Sequence, residues 1–197
     1  MDTFTAKTFN PGELKGISSK NIEEHLKLYK GYVNNANLVL KKIKEYEING
    51  VENAYVLSEL HRRFAFEFGG IRNHEYYFSA LEGGAKKLDD DSLLLKEIEK
   101  NGDTFESWLE NFKALAMTRG VGWAMLYFDK QTGNLLSQLV DEQHIGQLVS
   151  CSPILALDMW EHAYYLDYIP SEKKNYVEAF FANLNWKVIE ENFKAAI

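Results

Sequence analysis

The sequence has 197 residues, of which 46% are hydrophobic and 26% charged, with a net charge of −7, a length and composition that support a globular chain with a sizeable core. The acidic balance argues against nucleic acid as the main partner, and no apolar run approaches the roughly 20 residues of a membrane helix. The single cysteine, Cys151, excludes an internal disulfide and fits a reducing compartment, so a cytoplasmic location is expected. The first residues lack a basic start followed by an apolar block, so no signal peptide is expected.

In chain order, residues 1–16 carry Pro11 and Gly12 and read as an extended arm. Ser18 or Ser19 is a suitable helix cap. From there to about residue 48, His25, Tyr29, Tyr32, Ala36, Val39 and Ile43 recur at spacings of three and four, which makes one helical stripe. Asn49-Gly50 closes it. A second helix is expected over about 53–80, with Val56, Leu60, Phe64 and Phe68 on its buried side. Gly69-Gly70 interrupts that helix, and paired glycines inside a helix point to a bend or a close backbone approach. His74 follows one turn later.

Gly83-Gly84 and Asp89-Asp-Asp91 mark a boundary, giving a helical domain over 1–83 and an α/β domain over 84–197. Helices are expected near 93–100 and 105–117. The period then changes. Trp123–Phe128 and Leu135–Val140 flank the turn residues 129–134 and read as a β-hairpin. Pro153–Leu157 is a third short run. Helices are expected again over 161–168, 171–184 and from Trp186 onward. The fold class is therefore α+β: an antiparallel helical hairpin, then an α/β domain with a three-stranded antiparallel sheet.

The chemistry gathers around Asp158 and His162. On a helix, positions four apart share a face, and one carboxylate with one imidazole suits a borderline transition metal. Such a pair is also common as a surface ion pair. Asp158 follows an apolar run and precedes Met159 and Trp160, which favours burial, and a buried carboxylate must be paired or coordinated. His25 and His74 lie in aromatic surroundings and complete a set of three imidazoles and one carboxylate. That set leaves room for a small ligand.

The run Asp158-Met-Trp-Glu-His-Ala-Tyr164 resembles the D-x-W-E-H-A-Y signature of the iron/manganese superoxide dismutase family. Tyr32-Val-Asn-Asn, Asn73-His74, Gly120-Val-Gly-Trp123 and Leu184-Asn-Trp186 extend the resemblance over nearly the whole chain. It implies that His25, His74, Asp158 and His162 hold one iron or manganese ion, the metal site lying between the two domains. It implies superoxide as the substrate, converted to oxygen and hydrogen peroxide. It also implies a homodimer, possibly a tetramer, with Glu161 and Tyr165 reaching the partner subunit, and Trp123 and Trp160 walling the pocket. A metal-binding protein of the same fold without redox activity is the alternative, and an iron oxygenase or metal-water hydrolase uses a similar ligand set.

Two departures from the family pattern stand out. Tyr29 occupies the place of a histidine, and Tyr32 comes seven residues after His25 rather than eight. Tyr32 still matches the gateway tyrosine. No glutamine stands at Gly70 or Arg119, where relatives place the residue that bonds the metal's solvent ligand. The segment Gly146-Gln147-Leu148 therefore assigns that role to Gln147, with His144 as the substitute. Lys30, Arg72 and Arg119 are the expected attractors of an anionic substrate.

Overall fold

The computed structural model describes residues 3–100 and 102–197. The Ser18 hydroxyl accepts from the Asn21 N–H at 3.1 Å and opens helix α1, Ser19–Glu47. Its buried stripe is Ile22, His25, Tyr29, Val33, Ala36, Val39 and Ile43. Tyr32 falls at the edge of that stripe, half-buried. Helix α2, Ala54–Leu81, returns antiparallel against α1. Its buried side is carried by Glu67, Gly70, Ile71, His74, Phe78 and Leu81, not by the expected Val56–Phe68 stripe. Val56 and Phe68 are exposed. Along this stretch of α2, Phe4 of the arm packs against Phe64 and Phe68, and Phe66 packs against Tyr32 and His144.

Helices α3, Leu93–Glu99, and α4, Phe105–Ala116, lead into the sheet. Strands β1, Gly122–Asp129, β2, Asn134–Asp141, and β3, Cys151–Asp158, form an antiparallel sheet in the order β2-β1-β3. Central β1 is buried from Gly122 to Phe128 and reads as a continuous apolar run, whereas edge β2 is half-exposed. The β1–β3 register shifts at Leu126/Tyr127, opposite Pro153, a residue that has no N–H for the ladder. Helices α5, Lys173–Asn183, and α6, Trp186–Ala196, finish the chain. The α+β class with a helical hairpin before a three-stranded antiparallel sheet is as the sequence predicts.

The expected helix over 161–168 does not form. Only a 3₁₀ turn, Glu161–Ala163, is present, and a second, Pro170–Glu172, precedes α5. Asp158 is the last residue of β3 rather than part of a helix. Its approach to His162 comes from the strand end and the turn after it.

Gly69 and Gly70 show close approach rather than a bend. A Cβ on Gly70 would lie 2.4 Å from the Tyr32 ring, and one on Gly69 would lie 2.1 Å from the Gln143 carbonyl oxygen. The Tyr32 side chain has some freedom to yield, but the Gln143 backbone has little. Gly69→Ala is therefore expected to cost about 1–3 kcal/mol of stability, at the level of overpacking a core. Thermal unfolding of the metal-free protein checks this, with Gly31→Ala, where a Cβ meets nothing within 4 Å, as the control.

Candidate metal centre

Four elements converge on one point. α1 brings His25, α2 brings His74, the end of β3 brings Asp158, and the following turn brings His162. Their ligand atoms all lie within 4.8 Å of one another. Asp158 Oδ2 is 3.1 Å from His25 Nε2, 3.1 Å from His162 Nε2 and 3.6 Å from His74 Nε2. His25, His74 and Asp158 are fully buried, and His162 keeps 19% of its side chain exposed.

Backbone geometry fixes the carboxylate. Asp158 pairs with Trp123 across the β1–β3 ladder. Its Oδ1 accepts from the Trp160 N–H at 2.8 Å, and its carbonyl accepts from the Tyr176 hydroxyl at 2.8 Å. On α2, His74 Nδ1–H donates to the Gly70 carbonyl at 2.6 Å, since a carbonyl only accepts. That sets the tautomer and leaves the Nε2 lone pair free. His74 Nε2 is buried without a hydrogen-bond partner among the described residues, as is His25 Nδ1.

Electrostatics prepare the same state. Burial pushes His25 and His74 down, His74 to about 3, against the opposing pull of Asp158. Burial alone would raise the Asp158 carboxyl, but His162 and His25 overcome it and hold the group well below the usual carboxylate range. Neutral imidazoles beside an ionised carboxylate are the protonation states in which these groups bind metal. Three imidazole nitrogens, one carboxylate oxygen and an orphaned Nε2 aimed at the cluster fit iron or manganese.

Aromatic rings wall the cluster. Trp123 lies edge-on to His74 at 4.9 Å, Trp160 stacks on His162 at 5.8 Å, and Tyr32 tilts over His74 at 5.1 Å. Phe78 and Tyr77 each lie 4.9 Å from His25. The Tyr29 ring is 6.3 Å from His74, but its hydroxyl points to the arm and to Glu75. Glu161 and Tyr165 are exposed on the surface beside His162.

Gln147 does not join the wall of the cluster. It is exposed, and its amide donates to the Gln143 carbonyl at 3.1 Å and lies 3.4 Å from Asn73 Oδ1. The residue at the pocket is Gln143, which is fully buried. Its Nε2 donates to the Tyr32 hydroxyl and its Oε1 accepts from Trp123 Nε1, both at 2.9 Å. His144 packs edge-on against Phe66 at 5.8 Å. Among the expected cations, Arg72 is bound to Glu75 at 2.8 Å and is not free, while Lys30 and Arg119 are exposed. Lys173, which no sequence motif singles out, places its amine 5.8 Å from the Tyr164 ring. Burial lowers Lys173, and the fields of Asp158 and Glu161 oppose that shift.

A helical hairpin and a three-stranded sheet thus define a protein built around one buried transition-metal site. Residues 90–192 match the family described as iron/manganese superoxide dismutases, C-terminal domain. The chain is 33% identical to the iron superoxide dismutase of Aquifex pyrophilus over 192 residues, covering 95% of this chain and 89% of that one. It is 33% identical to a manganese superoxide dismutase of Mycolicibacterium smegmatis, covering 95% and 90%. To the mitochondrial manganese superoxide dismutase of Glossina morsitans morsitans it is 35% identical, covering 95% and 87%. The chain belongs to the iron/manganese superoxide dismutase family.

Proposed function

We infer that this protein is a superoxide dismutase using one iron or manganese ion, held by His25, His74, Asp158 and His162. The convergence of three imidazoles on one Asp158 oxygen carries the reading. When bound, the metal supplies one-electron redox chemistry, so that two superoxide anions and two protons give oxygen and hydrogen peroxide. The chain's own residues hold the metal, exclude bulk water and carry protons. Gln143, rather than Gln147, takes the role of the amide beside the metal. Tyr32 is the outer member of the line Trp123–Gln143–Tyr32. Burial raises the Tyr32 phenol, so it stays protonated at neutral pH and serves as a hydrogen-bond donor. Trp123, Trp160 and the Tyr29 ring keep the pocket narrow, which suits a small anion. Lys173 and Lys30 supply positive charge to an acidic protein.

The helical hairpin is read as one domain, 1–83, and the remainder, 84–197, as the second; the family's C-terminal-domain match begins at residue 90, which supports that division. Homodimerisation through Glu161 and Tyr165 is supported by their exposure next to a ligand, since Tyr165 leaves 63% of its surface uncovered. Superoxide is the expected partner, and a reducing, cytoplasmic compartment is supported by the lone cysteine. No helix among the described residues is long and apolar enough to cross a membrane.

Loading the metal-free protein separately with iron and manganese and following superoxide decay tests the function. At least one loaded form should consume superoxide catalytically and the metal-free form should not. Inactivity of both loaded forms would overturn the reading.

A further inference from the structure

A second buried polar group lies against the ligands and shares no hydrogen bond with the Tyr32–Gln143–Trp123 line. Glu75, next to the ligand His74 on α2, is buried. Its Oε1 accepts from the Tyr29 hydroxyl at 3.2 Å. Its Oε2 accepts from Arg72 Nη1 at 2.8 Å and faces Lys7 Nζ at 3.0 Å. The Lys7 backbone N–H donates back to the Tyr29 oxygen at 2.9 Å. One carboxylate therefore joins α1, α2 and the arm.

The joint lies at the level of the ligands. Tyr29 follows His25 by one helical turn, so its ring and His25 share the buried face of α1. The arm continues the contact: Phe9 packs on Tyr29 at 5.7 Å and on Phe78 at 5.5 Å, and Phe78 lies 4.9 Å from His25. A carboxylate is costly to bury unless it is paired. A buried ion group is weak evidence for net stability, and in some systems it serves to specify one geometry. Here the geometry specified is the separation of α1 and α2 where they present His25 and His74. Metal ligands need placement to within about 0.5 Å, held by packing and hydrogen bonds behind them.

We propose that Glu75 is a positioning residue for the metal centre, acting through Tyr29 and Lys7 to hold His25 and His74 at their binding separation. This rests on the reading of the four-residue set as a metal site. The cross-link runs through the Tyr29 hydroxyl. A histidine in that position would have to place its shorter ring differently to reach Glu75.

Glu75→Gln keeps the side chain's shape and removes its charge, and Tyr29→Phe keeps the ring and removes the hydroxyl. Arg72 and Lys7 have side chains 43% and 60% exposed, so both cations are left free to hydrate and the fold is spared. Iron- and manganese-loaded wild type and variants are challenged with excess EDTA, and metal release and the visible absorption band are followed. Both variants should release metal about tenfold faster, at the lower end of the effect of residues that support metal ligands, with a shifted band. The unfolding midpoints of the metal-free proteins should stay close to wild type. Glu24→Gln, which breaks two exposed ion pairs on α1, with Lys20 and Lys27, should change neither. Wild-type release rates and an unchanged band in both variants would overturn the proposal. So would metal-free midpoints that fall as far as the loaded ones, since that marks a purely structural link. The chelator assay needs no superoxide turnover. A wild type that binds metal but leaves superoxide untouched counts against the activity alone, and one that binds no metal overturns the site and this proposal together.

Discussion

His74→Ala is expected to yield a folded protein that retains neither iron nor manganese and has lost superoxide consumption. His74 Nε2 is buried with no hydrogen-bond partner among the described residues and faces Asp158 Oδ2 at 3.6 Å, so it is an atom reserved for a metal. Removing a residue that merely supports a ligand costs about 10–100-fold in affinity or activity, so deleting a ligand should exceed about 100-fold. The loss cannot be repaired locally, because Trp123, Tyr32 and His25 close the space around the missing ring and bring no ligand other than His25. The structural cost is separate. Deleting a fully buried ring leaves a cavity worth about 2–5 kcal/mol, which lowers the metal-free unfolding midpoint without abolishing folding. Metal content by elemental analysis, with superoxide decay measured on the same preparation, separates the two effects. His162→Ala should lose metal as well but cost less stability, since its side chain is partly exposed. Full activity in either variant would remove the metal assignment.

The ligands were legible because each carries a local signal. Asp158 and His162 sit in a continuous run, His25 falls on a helix face whose period is visible, and His74 stands among aromatic residues one turn after Gly69-Gly70. The strands were legible for the same reason, since β1 is an unbroken apolar run between turn residues. The buried side of α2 was less so. Its apolar residues at 56–68 imply burial, but Val56 and Phe68 stay exposed while Glu67, Gly70 and His74 are buried, an outcome of the assembled fold rather than of the segment. The helix predicted over 161–168 is replaced by a 3₁₀ turn, Glu161–Ala163, after the end of β3 at Asp158; turn spacing there brings Asp158 and His162 together as helical spacing would. Gln143 was missed for a related reason. The loop Asp141-Glu-Gln-His-Ile-Gly-Gln147 has no period, and two glutamines four apart look equivalent. What distinguishes them is backbone: Glu142 takes the left-handed conformation at φ 52°, and Asp141 and Ile145 exchange hydrogen bonds of 2.8 and 3.1 Å. The strand register was the available clue. Trp123 pairs with Val140, so the residues leaving β2 must pass beside Trp123, and Gln143 is the first polar, uncharged one among them.

That distinction sets the second large effect. Gln143→Ala is expected to lower turnover by roughly 100-fold, the lower range for a group that holds protons in place for transfer, while metal content stays near wild type. Gln147→Ala should leave turnover within about threefold, because its exposed amide bonds only the Gln143 carbonyl and Asn73 and touches neither Tyr32 nor Trp123. The two deletions differ in what they leave unpaired. Without the Gln143 amide, the Trp123 Nε1–H and the Tyr32 hydroxyl both lose their partners in a buried site, and an unmet donor there costs about 1–3 kcal/mol. A water entering the space could pair with them, but it would not hold Tyr32 in one orientation. Gln143→Asn provides the finer test: it keeps the amide but shortens the reach by one methylene, so partial activity is expected. Deleting Gln147 leaves the Gln143 carbonyl still accepting from the Asn73 amide at 3.1 Å. Steady-state superoxide decay on metal-matched samples compares the three variants. A large loss in Gln147→Ala with little in Gln143→Ala would reverse the assignment and return the proton-holding role to the outer residue.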